Sequence, residues 1–202
     1  NCRSLESVSI PASVTSIGED AFHNCSSLES VSIPSSVTSI GVSTFYNCRS
    51  LESVSIPASV TSIGDSAFRN CSSLESVSIP PSVTSIGALA FDSCESLTIY
   101  LKSAYAEEYA ATNWIAYVIV PDSIEIQTLP NKIFYYLHES ADMNGLVVNA
   151  KYYDGRSEEV THKCDISGFD SAKEGNCPIT VTYMEQEVDF LISVSRYIQA
   201  ID

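Results

Sequence analysis

The chain has 202 residues, of which 45% are hydrophobic, and its 25 acidic and 10 basic side chains give a formal net charge of −15. That composition sustains a packed core and excludes a disordered chain. Residues 1–120 hold 4 basic and 11 acidic side chains and residues 121–202 hold 6 and 14, so no basic patch is expected to neutralise nucleic-acid phosphates or an anionic membrane.

From the first residues the chain repeats itself. Cys2, Cys25, Cys48, Cys71 and Cys94 recur every 23 residues, and self-similarity of this kind marks a solenoid. The unit reads C-x-S-L-E-S-V-S-I-P-x-S-V-T-S-I-G-x-x-x-F-x-N. It is complete over 2–24, 25–47, 48–70 and 71–93, and a fifth copy begins at Cys94 and then degrades. The chain opens in mid-pattern and carries no leader, which reads as a piece with repeats removed upstream.

Each unit predicts two short strand-like pieces. Val31 and Ile33 are two apart and share one face, while Ser30 and Ser32 point the other way. Pro34 ends that strand because it has no N–H for the ladder. Val37 and Ile40 return to the core, Gly41 is expected to supply a turn, and Phe22, Phe45, Phe68 and Phe91 to form a buried aromatic column. Asn24, Asn47 and Asn70, with Ser93 in the last copy, are expected to satisfy turn backbone groups. One unit cannot bury these residues alone, but stacked units can.

The string L-x-x-V-x-I-P-x-S-V-x-x-I-G-x-x-A-F-x-x-C, over about residues 1–101, resembles the BspA-like, or Treponema-type, leucine-rich repeats of bacterial surface proteins. It departs from them at Thr44 and at the ending Thr98-Ile99-Tyr100-Leu101. The resemblance implies an extracellular or cell-surface location. It also implies contact with a host or microbial surface protein or glycan.

A solenoid end needs a cap. Residues 103–112 are helix formers with Ser103 available as N-cap, and Trp114, Ile115 and Tyr117 follow, so 102–120 is read as a one-helix cap closing a 1–120 solenoid. Over 121–202, alternating segments appear at Ile124–Ile126, Leu146–Tyr152, Ile179–Tyr183 and Phe190–Val194, punctuated by Asp154-Gly155 and Glu174-Gly175. They predict a small antiparallel sandwich. Gly145-Leu146-Val147-Val148, Tyr152-Tyr153-Asp154-Gly155 and Ile179-Thr180-Val181-Thr182-Tyr183 resemble a bacterial immunoglobulin-like domain, with His138 where that family has glycine. The fold class is thus mainly β: a solenoid of 23-residue coils with a helical C-terminal cap, then a small immunoglobulin-like sandwich.

Candidate chemistry is sparse. A column of thiols, one per coil, does not converge on a metal as a zinc site must, so the repeat cysteines read as buried free thiols. Cys164 and Cys177, 13 apart, read as separately packed, with a disulfide as the alternative. His23, His138 and His162 have no catalytic partner at a recognisable spacing. No enzyme activity, metal or cofactor is expected.

Two surface arrays remain. Ser7, Ser30, Ser53 and Ser76 form one row, with Ser9, Ser32, Ser55 and Ser78 beside it, and Glu6, Glu29, Glu52 and Glu75 stack along its edge. These twelve residues are the candidate ligand-binding strip. The bland alternative is recent duplication of a 46-residue unit, since Arg3 matches Arg49 and Ser26 matches Ser72. Three functions follow: a monomeric adhesion or binding protein, a purely structural array, or an accessory module of a larger secreted enzyme. No bilayer span is expected, because no run of about 18 apolar residues occurs.

Overall fold

The computed structural model describes residues 2–196, and backbone contacts group the chain into two units, Asn1–Ile119 and Val120–Asp202. In the first unit the chain order is β1 (Ser7–Ser9), β2 (Ser30–Ser32), β3 (Ser39–Ile40), β4 (Ser53–Ser55), β5 (Ser62–Ile63), β6 (Ser76–Ile79), β7 (Ser85–Ile86), β8 (Thr98–Leu101), α1 (Ala104–Thr112) and β9 (Ala116–Ile119). The second strand-like piece of each coil makes a parallel sheet β3-β5-β7 and the first a six-stranded sheet β1-β2-β4-β6-β8-β9, parallel throughout.

The repeat dictates this geometry. Identical positions pair, Val31 with Val54 and Val54 with Val77, so each side chain stacks on its own copy. Leu28, Leu51 and Leu74, Val37, Val60 and Val83, and Ile40, Ile63 and Ile86 are all buried. The predicted aromatic column is present: ring centroids lie 5.3 Å apart for Phe22–Phe45, 5.1 Å for Phe45–Phe68 and 5.2 Å for Phe68–Phe91. After each strand, the Val37, Val60 and Val83 N–H groups close a turn onto Pro34, Pro57 and Pro80. A serine next to each turn reaches back one coil. Ser59 Oγ donates to the Val37 carbonyl at 2.7 Å and Ser82 Oγ to that of Val60 at 2.8 Å, which accounts for the invariant S of P-x-S-V.

The glycine of each repeat does a different job from the one expected. Gly41, Gly64 and Gly87 do not adopt positive φ. A Cβ on Gly64 would lie 2.6 Å from the Val42 nitrogen and 2.7 Å from the Gly41 carbonyl carbon, so glycine is required by backbone contact between coils. The left-handed residues are Asn24, Asn47, Asn70 and Ser93, with φ near 60°, and a second set, Asp20, Ser43, Ser66 and Leu89. Asparagine tolerates this region better than other residues with a Cβ. The Asn47 side-chain amide also donates to Asn24 Oδ1 at 2.6 Å. Thr44 is fully buried, yet its hydroxyl lies 2.8 Å from the Gly41 carbonyl and 3.1 Å from that of Gly18, so this departure from alanine leaves no polar atom unpaired.

The cap differs from expectation. Helix α1 starts where predicted, with Ser103 Oγ accepting from the Ala106 N–H at 3.3 Å. Tyr109 packs edge-on against Phe91, centroids 6.3 Å apart, and ends the aromatic column. The chain then forms β9, a sixth strand parallel to β8 that pairs Tyr117 with Ile99. Residues 102–120 are therefore a helix plus a further rung of the sheet. Ala116–Ile119 lacks the repeat's serines and proline, which hid it. The fifth coil is also one residue short: β8 pairs Thr98 with Ser76, a spacing of 22 where the other coils keep 23.

In the second unit the order is β10 (Ser123–Thr128), β11 (Phe134–Tyr136), β12 (Val147–Lys151), β13 (Ser157–Glu159), a 3-10 turn (Thr161–Lys163), β14 (Asp165–Ser167), β15 (Gly175–Tyr183) and β16 (Gln186–Ser195). They form sheets β10-β12-β13 and β11-β16-β15-β14 around a core that includes Ile124, Tyr135, Val148, Ile179, Phe190 and Ile192. One pair, β11 with β16, is parallel, so the sandwich is not wholly antiparallel. Tyr135 is buried with its hydroxyl 2.8 Å from the Asp142 carbonyl, and a Cβ on Gly145 (φ 89°) would lie 2.5 Å from Asn131 Oδ1. His138 takes the left-handed conformation, φ 68°, that glycine has in the family pattern, so the turn is kept without it.

Candidate functional site

The serine strip has the register that the alternation predicts. Ser7↔Ser30, Ser30↔Ser53 and Ser53↔Ser76 pair along one row, and Ser9↔Ser32, Ser32↔Ser55 and Ser55↔Ser78 along the next. All eight are exposed, while Val31, Val54 and Val77 between them are buried. Neighbouring hydroxyls along a row are thus spaced by the strand separation, about 4.8 Å. The rows continue into β8 and β9 with Thr98 and Tyr100, then Ala116 and Val118. Tyr100, 38% exposed, gives the hydroxyl platform an aromatic end. Sequence reasoning saw the Thr98-Ile99-Tyr100-Leu101 ending as a departure from the repeat, and its alternation was the signal for an outward ring.

Glu6, Glu29, Glu52 and Glu75 are exposed at the entry to the strands, and their backbones hydrogen-bond from coil to coil at 3.0, 3.1 and 3.2 Å. The column stops at Glu75 because the shortened fifth coil has no residue for that place, and Thr98 donates directly to the Glu75 carbonyl at 2.9 Å. Like charges stacked in this way repel by roughly a few tenths of a kcal/mol per exposed pair.

The cysteine column is buried at Cys25, Cys48 and Cys71, half-buried at Cys94 and exposed at Cys2, so the expected burial holds for the inner coils and not for the first. Each inner thiol donates to a phenylalanine carbonyl of the preceding coil: Cys48 to Phe22, Cys71 to Phe45 and Cys94 to Phe68, all at 3.2 Å. Burial pushes the Cys48 thiol up to about 12 and that of Cys94 up to about 11. Protonated buried thiols are poor nucleophiles and poor metal ligands. Cys164 donates to the Val160 carbonyl at 3.3 Å and Cys177 to that of Gly168 at 3.0 Å, so the two pack separately. Among the described residues no group of three or more His, Cys, Asp and Glu could hold a metal ion.

The position read as a permissive ridge is linked in pairs. His23 Nδ1 lies 2.7 Å from Asp20 Oδ1 and its ring 4.9 Å from that of Tyr46, and Arg69 pairs with Asp92 at 2.9 Å. Trp114 is 96% exposed with a left-handed backbone, beside a cleft of about 360 Å³ that Tyr109 and Leu97 also line. Among the described residues no helix is long and apolar enough to cross a membrane.

Comparison with known proteins agrees with this architecture. The family model described as BspA type leucine rich repeat region matches residues 1–113 in six copies, and that of the bacterial Ig-like domain (group 3) matches residues 128–194. A leucine-rich repeat protein from Bacteroides ovatus is 45% identical, with a TM-score of 0.47, over 50% of this chain and 26% of its own length. A leucine rich cell surface protein from Faecalibacterium prausnitzii is 27% identical, with a TM-score of 0.43, over 78% of this chain and 39% of its own. Pectate lyase L of Thermoclostridium stercorarium is 35% identical over 76 residues, 37% of this chain, which spans only 6% of that curated relative. The repeat, its stacked columns and the matched families together place this chain in the BspA-type leucine-rich-repeat family, with a group 3 bacterial Ig-like domain after the repeats.

Proposed function

We propose that this chain is a non-catalytic binding module that acts at the bacterial surface or outside the cell. In this reading the serine strip engages a protein or glycan and the Ig-like domain serves as spacer. The observation that carries it is the register: eight exposed serines from four parallel strands lie in two unbroken rows, edged by four carboxylates. Serine has little side-chain entropy to lose on contact. Each hydroxyl contributes weakly, so affinity should grow with the number of coils engaged. The cell-surface description of the Faecalibacterium relative supports the location.

The test is a glycan and matrix-protein array, followed by the variant Ser30→Lys, Ser32→Lys, Ser53→Lys and Ser55→Lys. All four positions are exposed, so its thermal melt should match wild type while binding is lost. A variant that binds the array ligand as well as wild type would remove the strip from consideration. The second reading, an accessory module of a larger secreted enzyme, is favoured by the 76-residue likeness to a pectate lyase. A catalytic domain encoded beside this segment would decide for it.

A further inference from the structure

On a surface with 25 acidic and 10 basic side chains, a cation has many carboxylates to pair with. Seven do so, and Lys102 is also engaged. Among the described residues the two cations without an ion pair are Arg3 and Arg49. Both line one groove of about 290 Å³, whose other walls are Asn24, Ser26 and Asn47.

The repeat explains how the groove arises. Arg3, Ser26, Arg49 and Ser72 occupy the same place in successive coils. Arg3 and Arg49 are two coils apart, about 10 Å at the usual strand spacing. The small Ser26 between them leaves a notch that a third arginine would fill. Arg49 is held in place: its Nε donates to Asn47 Oδ1 at 2.8 Å, and the Asn47 amide donates to Asn24 Oδ1 at 2.6 Å. That leaves the terminal guanidinium nitrogens of Arg49 to meet a ligand in the planar fork geometry that suits a carboxylate.

We propose that this groove binds an acidic sugar residue, with the carboxylate held between Arg3 and Arg49 and ring hydroxyls meeting Ser26 and the asparagine amides. The five walls are all polar and none is a carboxylate. They offer donors to an anion and hydroxyl and amide partners to a sugar ring. They offer no apolar wall for the methylenes of an acidic peptide. The volume lies at the small end of ligand sites, about 300 Å³ and upward, which suits one monosaccharide unit of a chain. The site shares no residue with the serine strip and does not depend on it.

The test is isothermal titration of the full 202-residue chain with tri-galacturonic acid, with galactotriose and tri-glutamate as controls. The variants are Arg3→Ser, Arg49→Ser and the pair, and because serine already stands at 26 and 72 the coil accepts it. Tri-galacturonic acid should bind, and should weaken as salt rises. Galactotriose should bind at least tenfold more weakly. The double variant should lose at least tenfold in affinity with an unchanged melt, and the four-lysine strip variant should bind as wild type does. The proposal is overturned if tri-galacturonic acid does not bind, or if galactotriose or tri-glutamate binds as tightly. Equal binding by the double variant would also overturn it. Loss of binding in the strip variant alone would move the site to the strip.

Discussion

Phe45→Ala tests whether the solenoid is held by its stacked columns. Phe45 is fully buried, with its ring between Phe22 at 5.3 Å and Phe68 at 5.1 Å. Removing a buried Phe side chain costs about 3–5 kcal/mol through lost transfer energy and the cavity left behind. Aromatic pairs add about 0.5–1.5 kcal/mol each beyond area burial, and here two are lost. About 4 kcal/mol is therefore expected. At roughly 4 °C per kcal/mol for a domain of this size, the solenoid transition should fall by about 15 °C. Phe22 supplies the internal control: it is half-buried and stacks on one phenylalanine, so Phe22→Ala should cost about half as much. Differential scanning calorimetry reads both, and the transition of the Ig-like unit should stay in place if the two units melt separately. A shift under about a degree for Phe45→Ala, or equal shifts for the two variants, would refute the column argument.

Gly64→Ala should destabilise the solenoid by about 1–3 kcal/mol, because the new methyl meets backbone at 2.6 Å, whereas Gly18→Ala, with nothing within 4 Å, should melt near wild type. Equal melts for the two would remove the contact explanation for the glycine column. All seven cysteines should titrate as free thiols in denatured, unreduced protein; two or fewer would mean that the column is bridged. The raised thiols also set a pH dependence. Cys48 and Cys94 ordinarily titrate near 9.0, and burial favours their neutral form in the fold, pushing them to about 12 and about 11. Their contribution is therefore complete below pH 9 and lost as pH rises through 11 to 12. The melting temperature should fall across that window, and a flat profile would contradict it.

The parts of this fold that were legible are those written locally. Alternation across Ser30-Val31-Ser32-Ile33 assigns inward and outward faces without knowledge of any neighbour, and the 23-residue period then stacks them. What escaped depends on residues distant in sequence. The role of Gly64 appears only when the Gly41–Val42 backbone lies against it. Strand β11 is three residues long and pairs in parallel with Phe134 opposite Ser193, far beyond any local pattern. The end of the acidic row at Glu75 follows from a single missing residue in the fifth coil, which the conserved Cys94 and Leu97 spacing conceals. The serine strip was visible for the same reason as the core. The arginine groove was not, because a charge count of 4 basic against 11 acidic over residues 1–120 cannot say which cations lack a partner.

The two surfaces differ in what they can recognise. A row of identical serines presents the same contact at every coil, so a ligand shifted by one coil meets the same hydroxyls. Discrimination is a difference of affinities and needs positions that change from coil to coil. Buried columns cannot supply them, since a substitution at Phe45 or Val54 must fit the coil on each side. The positions free to vary are exposed, and on this solenoid they include the series Arg3, Ser26, Arg49, Ser72 and the series His23, Tyr46, Arg69, Asp92. In the second, neighbours are consumed by one another: His23 lies against Tyr46, and Arg69 pairs with Asp92. In the first, serine alternates with arginine and the guanidinium groups of Arg3 and Arg49 remain outside any ion pair. A ligand that engages them is fixed in register along the solenoid, which the uniform strip cannot do for itself.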